Sequence, residues 1–223
     1  MPVPYVVVSA ADLALTAFGS GRARRLRWLT KPLLMPTLAW WMRTHRRHSY
    51  GTMMRRTQAA LGLSAVGDVA LLRDDDAGFL RGLGAFLAAH VAYVSAFSAR
   101  RRPWGSPGTA RRVAPVVAVW ATAVPALAAR AGRLRVPVAL YGTAIALMQV
   151  TALMLDDRMP ARGRTRVALG AACFMLSDAL IGARRFLLPA RYGRAADVGV
   201  MATYVTAQWL IADGVVRASE RGR

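Results

Sequence analysis

Three ionisable side chains interrupt apolar runs of this sequence. Asp68 stands in Gly67-Asp68-Val69-Ala70-Leu71-Leu72, Asp178 in Ser177-Asp178-Ala179-Leu180-Ile181, and His90 ends Phe86-Leu87-Ala88-Ala89-His90. A charge within such a run is expensive, so its default reading is functional. The competing reading is structural: a side chain that reaches back to the interface or caps a neighbouring helix. Two carboxyl groups in one site can divide the work of acid and base. A histidine beside them completes either a proton relay or a metal site. The metal reading has few ligands, because His45 and His48 fall together in a different loop and the single cysteine, Cys173, sits in an apolar run. One imidazole and two carboxylates are a sparse set for zinc or a harder ion, so neither a metal nor another cofactor is expected. Gly-x-Ser-x-Gly, His-Glu-x-x-His and phosphate-loop motifs are all absent from the sequence.

More polar residues belong to the same layer. Asp68 lies five residues before Arg73, Asp178 six before Arg184, Lys31 four after Arg27 and Tyr141 six after Arg135. At roughly 1.5 Å per helical residue, these four lie about 6 to 9 Å inside one membrane face. His90, counted from Arg81, reaches about 14 Å, and Tyr204, counted from Asp197, about 10 Å from the same face. Gln208 follows one turn beyond Tyr204. Scattered structural polar groups have no reason to agree in depth. Lys31 is the only lysine in the chain. Two roles stand for it: reaching the nearby interface, or holding a phosphate or carboxylate. Asp12 and Gln149 fall outside this layer and read as helix-packing hydrogen bonds.

The elements that carry these residues follow from composition. The 223 residues are 55% hydrophobic yet bear a net charge of +20. A basic soluble chain would suggest nucleic acid. Here the arginines punctuate apolar runs, as in Arg22-Ala23-Arg24-Arg25, Arg55-Arg56, Arg100-Arg101-Arg102 and Arg184-Arg185. That is the pattern of a multi-pass membrane protein with cationic loops at the headgroups, with no nucleic-acid partner. The expected fold is all-α: a single bundle over residues 1–223 with about eight transmembrane helices. The spans fall near 3–19, 28–42, 57–72, 78–99, 113–129, 136–155, 166–183 and 196–216, with kinks at Pro32, Pro36 and Pro125. The start, Met1-Pro2-Val3-Pro4, has no basic segment, so the first span reads as a retained helix.

Among the loop and tail arginines, one side of the bundle holds five between residues 43 and 56, five between 100 and 112, four between 158 and 166 and three in the tail, against twelve in the loops of the other side. The excess places both termini in the cytoplasm of a cell-membrane protein. Lys31 precedes Asp68 by 37 residues, and Tyr141 precedes Asp178 by the same 37. This spacing suggests a parallel four-plus-four repeat of the kind seen in transporters; chance similarity between Ala/Leu-rich helices is the competing account.

Taken in order, several short motifs resemble those of the YhhN-like lysoplasmalogenases, a family of integral membrane hydrolases. They are Lys31-Pro32-Leu33-Leu34-Met35-Pro36, Gly67-Asp68, and Gly82-x-x-Ala85-Phe86 followed by His90 and Tyr93. Tyr141 follows, then Gly170-Ala171, Phe174, Ser177-Asp178, Thr203-Tyr204 and Ala207-Gln208. The arginine-rich loops and the short first helix depart from that pattern. The resemblance implies hydrolysis of the vinyl ether of a lysoplasmalogen, or a related ether lysophospholipid, to a fatty aldehyde and a glycerophospho-headgroup. It implies Asp68, Asp178 and His90 as catalytic residues, with Lys31, Tyr93, Tyr141, Ser177, Tyr204 and Gln208 binding substrate. A small transporter or lipid-binding membrane protein, with a polar cluster that binds without reacting, is the alternative class.

Overall fold

The computed structural model describes residues 2–45, 51–73 and 75–218. Arg46, Arg47, His48, Asp74, Arg221 and Arg223, which figure in the loop and charge reading above, lie outside the described residues. The chain forms eight α-helices: α1 Val3–Phe18, α2 Gly21–Thr44, α3 Thr52–Ala70, α4 Asp76–Ser98, α5 Thr109–Arg130, α6 Arg135–Leu153, α7 Ala161–Phe186 and α8 Gly193–Ala218. Among the described residues there is no strand, and one isolated antiparallel bridge joins Arg101 to Leu155.

All eight expected spans are present as helices, with ends that differ in one systematic way. α2 starts seven residues earlier than its apolar run, and α7 starts five earlier. The extra turns carry arginines, which are good helix formers and keep the guanidinium in water while the helix continues. α2 runs unbroken through Pro32 and Pro36, and α5 through Pro115 and Pro125.

The chain is a membrane protein. Among the described residues α4, α5, α7 and the segment Gly132–Leu153, which contains α6, are long and apolar enough to cross a membrane, while α1 is apolar but shorter. α2 and α8 take their charges inside the fold instead. Asp12 of α1, fully buried, accepts hydrogen bonds from Arg27 at 3.2 and 3.3 Å and from Thr30 at 2.7 Å. Asp213 of α8 accepts from Arg166 at 2.5 Å and Arg217 at 2.7 Å. A buried carboxylate is tolerated when it is paired in this way. The expectation that Asp12 packs helices through hydrogen bonds holds; no hydrogen-bond partner reaches Gln149 Oε1.

Sequential helices pack on one another except α4 and α5, α4 packing on α6 instead, and α8 closes the bundle by packing on α1, α2 and α3. The main core draws on every helix except α5. α5 stands outside, packed mainly on α6 and with Val116 as its one buried residue.

Two close hairpins frame the centre. In α7–α8, a Cβ on Gly170 would fall 2.8 Å from the Ile211 nitrogen, and one on Gly214 would fall 2.8 Å from the Gly163 oxygen. Backbones meet directly along this seam, as small residues permit in lipid. In α3–α4, a Cβ on Gly67 would lie 2.6 Å from the Phe86 ring. The glycine beside Asp68 therefore makes room for the aromatic that lines the site.

Candidate active site

α3 presents Ser64, Gly67 and Asp68 on one face, since residues three and four apart share a helix side. α8 presents Tyr204 and Gln208 in the same way. The two faces interlock. The Tyr204 hydroxyl donates to Asp68 Oδ2 at 2.7 Å, and the Gln208 amide nitrogen donates to Ser64 Oγ at 3.1 Å. Gln208 Oε1 in turn accepts from the Tyr93 hydroxyl of α4 at 2.5 Å. From α2, Lys31 Nζ approaches Asp68 Oδ1 at 3.7 Å. Asp68 thus meets an ammonium and a phenol hydroxyl, both donors.

The second carboxyl group has different company. His90 of α4 stands 3.3 Å from Asp178 of α7, Nε2 to Oδ2. The other ring nitrogen, Nδ1, lies 2.6 Å from the Phe86 carbonyl oxygen one turn back. A carbonyl oxygen only accepts, so Nδ1 carries a hydrogen. In the neutral ring Nε2 is then a bare acceptor facing a carboxyl oxygen. Neither Nε2 nor Oδ2 has a well-directed hydrogen-bond partner, although both are fully buried atoms. Tyr141 of α6 packs edge-on against His90, with ring centroids 5.3 Å apart.

One ring joins the two groups. Phe174 of α7 lies 4.7 Å from the His90 ring and 5.5 Å from Tyr204, with Phe86 and Tyr93 each 6.3 Å away, all edge-to-face. The carboxyls are therefore not a directly bonded dyad; each has its own partners across an aromatic wall. Asp68, His90, Tyr93 and Gln208 are all 1% exposed or less, and Lys31 and Tyr141 form the partly exposed rim. Two grooves on the outer surface, one along α5–α6 and one at the start of α5, are lined by none of these residues.

Eight of the nine residues singled out in the sequence meet here. Ser177 is buried beside Asp178, but its hydroxyl donates to the Val200 carbonyl at 3.1 Å, tying α7 to α8. Two participants went unnamed in the sequence reading. Ser64 carries a legible signal, a small polar residue one helical turn before Asp68. Tyr5 of α1, whose hydroxyl donates to the Val205 carbonyl at 2.7 Å, carries none, because its place depends on how α1 docks on α8. Among the described residues no three His, Cys, Asp or Glu side chains gather closely enough to hold a metal ion.

Comparison with known proteins bears directly on this arrangement. The sequence matches the YhhN family over residues 26–215. The chain belongs to the YhhN family. It is 35% identical over 173 residues to a protein of Mycobacterium tuberculosis named lysoplasmalogenase, an alignment covering 75% of this chain and 62% of that protein. It is 31% identical over 181 residues to lysoplasmalogenase TMEM86A of Bos taurus, covering 78% of this chain and 72% of the relative. The human protein of the same name is 31% identical over 186 residues, with the same coverage. The chain thus spans about 62% of the length of the mycobacterial relatives it matches. No solved structure matches it. The family region contains every residue of the two carboxyl groups' surroundings; Tyr5 and Asp12 of α1 lie before it.

Proposed function

We propose that this chain is a membrane-embedded hydrolase that cleaves the vinyl ether of a lysoplasmalogen, or of a closely related ether lysophospholipid. The observation that carries the reading is the unequal provision for two buried carboxyls. Asp178 faces the Nε2 of a histidine whose Nδ1 meets the Phe86 carbonyl, while Asp68 faces the Lys31 Nζ and accepts from the Tyr204 hydroxyl. Membership of the YhhN family, and the names of the mycobacterial and mammalian relatives, support the substrate class.

The chemistry that fits is acid-catalysed hydration. A proton passes from the Asp178–His90 pair to the β-carbon of the vinyl ether, leaving an oxocarbenium ion at the α-carbon. Asp68, with Lys31 and Tyr204 at its oxygens, faces that cation and takes a proton from the attacking water. The resulting hemiacetal collapses to a fatty aldehyde and the alcohol of the glycerophospho-headgroup. This division of labour resembles inverting glycoside hydrolysis, where one carboxylic acid donates and one carboxylate serves the water. The alkyl chain stays in hydrocarbon, and the phosphate lies toward Lys31 and the rim. Purified protein in detergent, supplied with a lysoplasmalogen, is expected to release free aldehyde. Binding without aldehyde release would favour a lipid-binding or transport role instead.

We further assign eight membrane crossings with both termini in the cytoplasm, which opens the site toward the opposite leaflet. The arginine excess on the side of the termini supports this orientation. A C-terminal alkaline phosphatase fusion is expected to be inactive and a green fluorescent protein fusion bright; the reverse pattern would invert the topology.

A further inference from the structure

The outer end of α5 gathers features that the reaction does not use. The α4–α5 loop is pinned to the α6–α7 loop by backbone hydrogen bonds, Arg102 N to Met154 O at 2.8 Å and Asp156 N to Arg100 O at 2.9 Å. This junction brings three arginines onto one half-exposed carboxylate. Asp157 faces Arg102 at 3.0 Å, Arg112 at 3.7 Å and Arg164 in direct contact. One negative charge therefore stands against three positive ones. Arg101 adds a fourth, its guanidinium 4.4 Å from the ring centre of the half-exposed Trp104.

Beside these arginines runs an apolar groove of about 780 Å³, lined by Trp104, Thr109, Val113, Val117 and Ala121 among others. That volume is within the roughly 300 to 1,000 Å³ range of small-molecule sites. From Thr109 to Ala121 the groove descends about 18 Å at 1.5 Å per residue, close to the roughly 15 Å depth of one leaflet's hydrocarbon. Asp157 compensates these charges only in part. The first turn of α5 contains Arg111 and Arg112 and no acidic residue, and no side chain caps it. Cations at the positive end of a helix are unfavourable unless an anion answers them. α2 begins with as many arginines, but Ser20 caps it.

We propose that this groove binds an anionic phospholipid of the leaflet on the side of the termini. Its phosphate sits among Arg101, Arg102, Arg111 and Arg112 at the start of α5, and one acyl chain runs down the groove toward Ala121. Trp104 lies at headgroup level, where an amphipathic ring is favoured. The excess of arginine over carboxylate selects an anionic headgroup over a zwitterionic one, by bidentate guanidinium–phosphate pairing and by net charge. The site lies at the opposite membrane face from Asp68 and Asp178, so it stands independently of the proposed reaction.

The test is native mass spectrometry of the detergent-purified full chain, titrated separately with phosphatidylglycerol and phosphatidylcholine of identical acyl chains. Phosphatidylglycerol is expected to bind at least about tenfold more tightly. Arg111→Gln/Arg112→Gln should abolish that preference, and Ala114→Trp, which fills the groove, should abolish binding with every arginine intact. Arg24→Gln/Arg25→Gln removes the same charge from the start of α2 and should leave binding unchanged. Equal binding of the two lipids, equal loss in the α2 control, or full binding by Ala114→Trp would each overturn the proposal. Inorganic phosphate that stabilises the protein to heat as well as the lipid does would also overturn it, since it would show a headgroup site with no part for the groove. Should the double arginine variant fail to fold, Ala114→Trp alone decides the question.

Discussion

The two carboxyl groups stand in parallel settings that differ in one respect. On one side Lys31 of α2, Asp68 of α3 and Tyr204 of α8 meet; on the other, Tyr141 of α6, Asp178 of α7 and His90 of α4. Under a four-plus-four correspondence α2 matches α6, α3 matches α7 and α4 matches α8. Each aspartate then takes one partner from the preceding helix of its own half and one from the last helix of the other half. The skeleton is shared, and the chemistry is not. Asp68 faces a lysine and a tyrosine hydroxyl; Asp178 faces the Nε2 of a histidine whose Nδ1 meets the Phe86 carbonyl. On the proposed reaction, such a frame would supply both members of an acid–base pair through partners that differ around two like carboxyls.

The largest expected effects test that asymmetry directly. Asp68→Asn and Asp178→Asn should each lower turnover by at least about a hundredfold, the lower end of what positioned proton transfer contributes. The wild-type rate should follow a bell-shaped pH profile. On the proposed reaction it falls at low pH, where the base is protonated, and at high pH, where the acid has lost its proton. The residual activity of Asp68→Asn should lack the acid limb, and that of Asp178→Asn the alkaline limb. Folded variants that share one unchanged profile would erase the distinction between the two settings.

His90→Gln comes next. It should cost about ten- to a hundredfold, because glutamine can hydrogen-bond Asp178 but cannot relay a proton. A loss as large as that of Asp178→Asn would mean that the imidazole itself delivers the proton. A variant with normal rate and normal profile would remove histidine from the chemistry.

The smallest effects separate the site from its scaffold. Tyr204→Phe deletes a hydrogen bond to Asp68 and should slow turnover about tenfold with an altered acid limb. Ser177→Ala deletes a bond to a backbone carbonyl instead. It should change turnover less than about twofold while lowering the melting temperature by about 2 °C, the effect of losing one neutral hydrogen bond in a chain of this size. If Ser177→Ala were the more damaging to rate, the serine would belong with the substrate.

Much of this frame can be read from the sequence. Apolar runs punctuated by arginine give eight helices, and counting residues from those arginines brings Lys31, Asp68, His90, Tyr141, Asp178 and Tyr204 into one layer. Depth along a helix is a local property, fixed by rise per residue. Which side chain meets which is not, because it depends on how the helices rotate and close. The Tyr204–Asp68 contact spans 136 residues and exists because α8 packs on α3. Helix ends differ from the apolar runs for a local reason: arginine ends the run but not the helix, and in α2 and α7 it lies within the first turns. Ser64 was within reach of the helical period, and Ser177 was drawn toward the site by its neighbour although its hydroxyl points to Val200.

The glycine contacts in the two central hairpins set how this machine can yield. α3 with α4, and α7 with α8, are each pressed together at backbone distance and behave as two slabs. The first slab carries Ser64, Asp68, His90 and Tyr93; the second carries Phe174, Asp178, Tyr204 and Gln208. Four polar links cross from one slab to the other: Tyr93 to Gln208, Tyr204 to Asp68, Gln208 to Ser64 and His90 to Asp178. The same contacts that mask the two carboxyls also hold the slabs shut, like a zip fastener whose teeth are the reactive groups. On the proposed function, a lipid seated between the slabs would part these links, and guest and internal partners would compete for the same hydrogen bonds.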